Sequence, residues 1–94
     1  MDDKINKFRL KIDRVDEKLI KLINKRINLV KMIAVLKNHG NDNIYQPKRE
    51  LEIKKRNKKL AEKYGMSVDL IDEVFSIIKK HSREIQRECF EENE

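Results

Sequence analysis

The fold of this chain is decided by residues 5–37, which read INKFRLKIDRVDEKLIKLINKRINLVKMIAVLK. The stretch contains neither glycine nor proline. Apolar residues recur every three and four positions, which is the heptad pattern of a helix that packs along a partner. These positions are Ile5, Phe8, Ile12, Val15, Leu19, Leu22, Leu29, Ile33 and Leu36. The pattern predicts one very long helix from Met1 to His39, ended by Gly40.

Two shorter helices are predicted in the rest of the chain. Pro47 fits the first position of a helix, and the second helix runs from there to about Tyr64, where Gly65 closes it. Ser67 is a favourable cap for a third helix. Its predicted buried side comprises Leu70, Ile71, Val74, Phe75, Ile78, Ile85 and Cys89. We therefore expect an all-α fold of three helices in a single domain, residues 1–94.

The length of the first helix predicts an assembly of more than one chain. At about 1.5 Å per residue this helix is on the order of 50 Å long. A compact domain of this size has a radius of gyration of only about 12 to 13 Å. Two shorter helices cannot cover the whole apolar seam, so we expect an intertwined helical homodimer whose first helices pack along each other.

The charge of the chain leaves two classes of partner open. The net charge is +6, and the excess is concentrated in the second helix. Its basic residues are Lys48, Arg49, Lys54, Lys55, Arg56, Lys58, Lys59 and Lys63. A basic helical module that binds nucleic acid or an acidic protein surface is one interpretation. A solvated helix face is the more frequent explanation of such a run, and no aromatic residues are interleaved with these charges for bases to stack on. We therefore do not expect nucleic acid.

Cysteine and histidine usage indicates a cytoplasmic protein without a metal. The single cysteine, Cys89, cannot form an internal disulfide and fits a reducing compartment. No apolar run is long enough to span a bilayer, so no membrane association is expected. His39 and His81 are isolated from each other and from Cys89. We therefore expect no metal site.

One residue, Arg26, interrupts the apolar seam of the first helix. Arg26 occupies a seam position, where its charge needs an anion or access to solvent. Lys37 lies three turns further on and projects to almost the same side, so the two could face one anionic ligand. Arg9 lies about 25 Å from Arg26 along the helix axis and on another side. If both serve one site, Arg9 must come from a partner chain; otherwise Arg26 sets the register and Arg9 is a surface charge.

Polar residues on the other two helices are less specific signals. Ser82 and Gln86 stand at i and i+4 beside the apolar face of the third helix, where a buried pair would need partners. Arg49 and Glu50 fall in the first turn of the second helix, where the glutamate complements the helix dipole. Arg83, like several other arginines, has no evident task in the sequence.

Taken together, these residues resemble the all-helical class of chorismate mutases, over residues 5–90. The resemblance opens with FRLKIDRVDEKLIKLINKR (residues 8–26) and continues through Lys37. It then includes PKRE (residues 47–50) and ends with HSREIQ (residues 81–86). Each motif is ordinary alone, but their order and spacing together are typical of that family.

The resemblance implies a role for each matching residue. Arg26 is similar to the arginine that binds a substrate carboxylate, and Arg9 to the one lent across the dimer by the other protomer. Lys37 and Gln86 match the pair that approaches the ether oxygen of the enolpyruvyl group. Glu50 matches the carboxylate that accepts a hydrogen bond from the substrate hydroxyl.

Three further positions complete the implied site. Arg49 and Ser82 match supporting residues of the family's pocket. Gln46 stands where the family often has aspartate. A glutamine still accepts a hydrogen bond through its amide oxygen but carries no charge. Recognition of the substrate hydroxyl is therefore expected to rest more on Glu50.

The activity implied by the resemblance is the Claisen rearrangement of chorismate to prephenate in phenylalanine and tyrosine biosynthesis. It would need no cofactor. The simplest expectation is a monofunctional, unregulated enzyme, with docking on another aromatic-pathway enzyme left open. A lyase of the same fold that eliminates pyruvate from isochorismate is the alternative enzyme, because it needs the same carboxylate clamps.

Overall fold

The computed structural model of the chain describes residues 2–37 and 46–92 and is entirely helical apart from short connections. The elements are α1 (Asp2–Lys37), α2 (Pro47–Lys63) and α3 (Val68–Glu92). The predicted all-α fold with a very long first helix is confirmed. The predicted end of the first helix at His39, and its stop at Gly40, lie outside the described residues.

Helix α1 is long because nothing in its sequence interrupts it and both of its ends carry favourable charges. Asp2 and Asp3 lie in the first turn and Lys37 in the last, so each complements the helix dipole. The described residues extend 58 Å along their longest axis, and the radius of gyration is 17.1 Å. A compact chain of this length has a radius of gyration of about 12 to 13 Å. The single chain is therefore elongated, as the length of α1 predicts.

Helix α2 begins at the predicted proline, Pro47, and ends at Lys63, just before the predicted closing glycine, Gly65. Gln46 is the N-cap residue, but its side chain makes no capping hydrogen bond. Its carbonyl oxygen accepts from the backbone N–H of Glu50 at 3.0 Å. Gly65 has a φ of 65°, and the backbone N–H of Met66 donates to the carbonyl oxygen of Ala61 at 2.8 Å. This left-handed closing turn suits glycine, which has no Cβ to clash.

Helix α3 is capped as expected, but its apolar face is only partly covered. The Ser67 hydroxyl oxygen accepts from the backbone N–H of Leu70 at 3.3 Å, which confirms the predicted cap. Ile71, Phe75, Ile78, Ile85 and Cys89 are half-buried. Leu70 and Val74 are 50% and 43% exposed. The described helices of the single chain therefore do not bury these two residues as predicted.

The core of the single chain is small. Helix α3 packs against both α1 and α2. The buried apolar residues are Ala34 of α1 together with Ile53 and Ala61 of α2. Asn57 is buried as well, and its Oδ1 accepts from Nε and Nη2 of Arg56 at 3.2 and 3.0 Å. Arg56, one of the basic residues of α2, therefore satisfies a buried polar group.

The apolar seam of α1 is largely uncovered within one chain. Every residue of the predicted heptad pattern is exposed, including Leu19 at 53% and Leu22 at 63%. Within the described ranges, no helix is apolar over enough of its length to cross a membrane.

Candidate functional site

All three helices line one cavity, which has a volume of about 460 Å³. It lies where the C-terminal part of α1, the first turns of α2 and the middle of α3 meet. The lining comprises Arg26, Leu29, Val30, Ile33, Lys37, Gln46, Arg49, Glu50, Ile53, Lys79, Ser82, Arg83 and Gln86. A concave site with apolar walls and several converging polar groups is the usual form of a small-molecule site.

The cavity brings together seven of the eight site residues that the sequence indicated. They are Arg26, Lys37, Gln46, Arg49, Glu50, Ser82 and Gln86. Arg26 and Lys37 meet in it because eleven residues correspond to three helical turns. Arg9 is exposed and does not line the cavity. The single chain therefore does not unite Arg9 with Arg26, which agrees with the distance expected along α1.

Arg26 is held against Ser82 across the interface between α1 and α3. Its Nη1 donates to the Ser82 hydroxyl oxygen at 2.6 Å. Ser82 in turn donates to the carbonyl oxygen of Ile78 at 2.9 Å. Burial lowers the pKa of Arg26 from its ordinary value, and the positive charges of Arg56 and Arg49 lower it further. Both causes disfavour the charged form, so a bound anion would restore favourable electrostatics at this guanidinium.

Glu50 has a partner that the sequence did not indicate. Nη1 of Arg83 makes an ion pair with Oε1 of Glu50, which joins α3 to the first turn of α2. The two side chains are 29% and 22% exposed, so the pair is partly shielded from water. Lys79 also lines the cavity. A polar stripe at helical spacing, formed by Lys79, Arg83 and Gln86, was present in the sequence and could have marked both residues.

Gln86 presents a buried polar atom to the cavity. Its amide atom Oε1 is buried and has no hydrogen-bond partner among the described residues. Buried polar atoms are nearly always paired with protein, water or a ligand. The amide oxygen and nitrogen can exchange places by rotation of the terminal torsion. The Gln86 amide is therefore suited to contact a polar atom of a ligand.

The remaining predicted residues lie at the edge of the cavity. Arg49 is 58% exposed at its side chain and pairs loosely with Glu52, at 3.4 Å from Nη1 to Oε2. Gln46 and Lys37 are half-buried, at the start of α2 and the end of α1. Because Arg49 is exposed and its ion pair is weak, its fork can turn toward a ligand at low cost.

The electrostatics of the cavity favour an anion. One carboxylate, Glu50, lines it among the described residues. The cationic lining residues are Arg26, Lys37, Arg49, Lys79 and Arg83. The arginine forks can bind carboxylates through two parallel hydrogen bonds. The fold and the cavity are therefore those of an all-helical protein with a lining suited to a small anion.

Comparison with known protein families identifies the family to which this helical protein belongs. The chain belongs to the family described as chorismate mutase type II, whose model matches residues 8–87. That range includes Arg9 and the whole lining of the cavity.

Individual relatives agree with the family over different shares of their length. The chorismate mutase of Methanocaldococcus jannaschii is 33% identical over 94 residues, which cover 100% of this chain and 95% of that protein. The T-protein of Haemophilus influenzae is 36% identical over 75 residues, which cover 80% of this chain and 20% of the T-protein. The bifunctional chorismate mutase/prephenate dehydratase of Aquifex aeolicus is 39% identical over 51 residues, which cover 54% of this chain and 14% of the bifunctional protein. No solved structure matches the chain significantly.

Proposed function

We propose that this chain is a chorismate mutase, an isomerase that rearranges chorismate to prephenate in the biosynthesis of phenylalanine and tyrosine. Family membership over residues 8–87 supports the reaction. The observation that carries the proposal for the site is the cavity itself, since seven residues from three helices converge on about 460 Å³. In the reaction a C–O bond breaks as a C–C bond forms within one molecule. The protein therefore has to orient the substrate and stabilise the charge that develops.

Orientation is the first task of the site. Chorismate is a flexible dicarboxylate that reacts only from a chair-like conformer. Arg26 binds one carboxylate, and its guanidinium is already fixed by the hydrogen bond to Ser82 at 2.6 Å. Arg49 supports binding from the rim of the cavity. Arginine forks that hold both ends of the substrate supply orientation before the chemical step.

Charge stabilisation is the second task. Negative charge grows on the ether oxygen as its bond to carbon breaks. Lys37 and Gln86 are the groups that approach this oxygen, one with a positive charge and the other with its amide. The amide of Gln86 supports this role because its buried Oε1 has no partner among the described residues, and rotation of the terminal torsion places the donating NH2 group at that position. Groups aimed at the oxygen before reaction stabilise the transition state more than the ground state.

The substrate hydroxyl is recognised at the start of α2. Glu50 accepts its hydrogen bond, and Gln46 lies beside it in the lining. The Gln46 side chain makes no helix-capping bond, so its amide is available to the ligand. It contributes no charge, which leaves Glu50 as the principal acceptor.

The active form is a homodimer in which Arg9 is donated to the site of the other protomer. Two observations support this assembly. The seam residues of α1 are exposed in the single chain, and a continuous apolar surface of this kind usually marks a protein interface. Arg9 and Arg26 are about 25 Å apart along one helix, further than a metabolite can reach. Packing of two first helices would cover the seam and bring the partner's arginine to the cavity.

We place the enzyme in the cytoplasm, since its single cysteine fits a reducing compartment. Docking on another enzyme of the aromatic pathway is compatible with the basic face of α2. The mutase would act without such a partner, because all of its proposed catalytic groups belong to this chain.

The test is to incubate the purified protein with chorismate and to follow substrate and product by NMR. Prephenate formation that is lost in Arg26→Ala is the expected result. The same experiment with isochorismate distinguishes the mutase from the lyase, because a lyase would release pyruvate from isochorismate. Stable chorismate in the presence of folded, dimeric protein would refute the mutase assignment.

A further inference from the structure

The ion pair between Glu50 and Arg83 is distinct from the groups proposed to bind the substrate carboxylates and the ether oxygen. It lies inside the cavity and bridges α2 and α3. Both side chains are less than a third exposed, so the pair is shielded from competing water. Charge-assisted hydrogen bonds of this kind fix the orientation of both groups. A carboxylate expected to contact the substrate is therefore held by Arg83, a residue of the HSREIQ stretch to which the resemblance assigns no role.

The Glu50 carboxylate has to be kept away from the other cationic side chains of the cavity. The other cationic groups of the lining are Arg26, Lys37, Arg49 and Lys79. If Glu50 swung onto Arg26 or Lys37, it would neutralise a charge that the substrate requires. Arg26 instead contacts a neutral hydroxyl, that of Ser82. Its charge therefore remains available to an incoming carboxylate.

We propose that Arg83 is a positioning residue that acts on the substrate through Glu50. Its Nη1 binds Oε1 of Glu50, and the carboxylate oriented in this way accepts a hydrogen bond from the substrate hydroxyl. The same contact keeps the carboxylate off the cations that bind the substrate. This role rests on the proposed function, because it presupposes that Glu50 recognises the hydroxyl of chorismate.

The placement of Arg83 on α3 supports this role. It follows Ser82 directly and precedes Gln86 by three residues, so one turn of α3 carries three polar groups of the cavity. Ser82 fixes Arg26 of α1, and Arg83 fixes Glu50 of α2. This turn of α3 therefore sets the orientation of one anchor on each of the other helices.

A double-mutant cycle tests the proposal with chorismate as substrate. The variants are Arg83→Met, Glu50→Ala and the combination of both, and kcat and KM are measured for each. We expect Arg83→Met alone to lower kcat/KM about tenfold, as the loss of a charged hydrogen bond does. In the Glu50→Ala background the same change should lower it by less than about twofold, because there is no carboxylate left to position.

Matched controls separate positioning from folding. Arg87→Met removes a charge from the next turn of α3 at an exposed position and should leave kcat/KM unchanged. Arg83→Lys keeps the charge without the planar fork and should recover part of the activity lost in Arg83→Met. Thermal unfolding of each variant reports whether the fold is retained. If Arg83→Met does not fold, the cycle is repeated with Arg83→Lys.

The outcomes distinguish the two levels of the proposal. Equal losses from Arg83→Met in both backgrounds overturn the positioning role, because Arg83 would then act directly on the substrate or on the fold. Active wild-type protein with that result leaves the mutase assignment intact. Wild-type protein that does not convert chorismate overturns the proposed function and the role of Arg83 with it.

Discussion

A mixture of two inactive variants should recover activity if the site is shared between protomers. The first variant is Arg9→Ala and the second is Arg26→Ala. In a mixed dimer, the first chain keeps Arg26 and the second chain keeps Arg9. One of the two sites is then complete, and the other carries both lesions.

The expected recovery follows from the symmetry of the dimer. With equal amounts of both chains and random exchange, about half of the dimers are mixed, and each contains one intact site. The mixture should therefore reach about a quarter of the wild-type activity per chain. Within a single chain, Arg9 and Arg26 are about 25 Å apart along the axis of α1. The cavity of about 460 Å³ is too small to join two groups at that separation.

The assay combines prephenate formation with a direct measure of exchange. The two chains carry different tags, are unfolded together in denaturant and are refolded by dilution. Native mass spectrometry gives the fraction of mixed dimers, and activity is divided by that fraction. Each variant refolded alone is the baseline.

A second mixture tests the same shared site through a loss of activity instead of a recovery. Wild-type chains refolded with an equal amount of the double variant, Arg9→Ala with Arg26→Ala, form mixed dimers in which both sites are incomplete. Activity per wild-type chain should fall to about half. No recovery in the first mixture and no loss in the second, with mixed dimers demonstrated, would refute the shared site.

Three further changes test separate parts of the proposal. Lys37→Ala should lower kcat by about 10² to 10³ without unfolding, since this residue ends α1; near-normal kcat in a folded variant would rule out its role at the ether oxygen. Gln46→Asp should stabilise α2 by about 1 kcal/mol in denaturant unfolding, because the Gln46 side chain makes no capping bond. Its KM for chorismate should stay equal or fall, and a large rise would show that the glutamine serves another contact. Leu19→Glu should convert the dimer to inactive monomer in sedimentation, although an exposed substitution alone changes stability by at most about 0.5 kcal/mol. A persistent active dimer would place the interface elsewhere.

The elements of the fold could be predicted from the sequence because their signals are local. Pro47, Gly65 and Ser67 each act within one turn of their own position, and all three mark helix ends in the structure. The spacing of Arg26 and Lys37 placed both on one side of α1, and both line the cavity. Helical geometry alone is enough to predict the positions of such residues.

Burial was predicted less well, because it depends on what lies opposite each face. Leu70 and Val74 follow the apolar pattern of α3 but are exposed in the single chain. Asn57 is polar and nevertheless buried, where Arg56 satisfies its side-chain oxygen. Neither outcome follows from a periodic pattern, since the pattern shows which residues share a face and not whether that face is covered.

The sequence by itself determined the helices, the length of α1 and the residues that match the family's motifs. Only the tertiary structure decided that Arg83 of α3 pairs with Glu50 of α2, and that Arg26 of α1 meets the hydroxyl of Ser82. These partners are separated by 33 and 56 positions in the chain. Spacing along a helix is fixed by backbone geometry, whereas contact between helices is fixed by how their faces pack. The arrangement of charges around a substrate can therefore be determined only from the packed arrangement of the three helices.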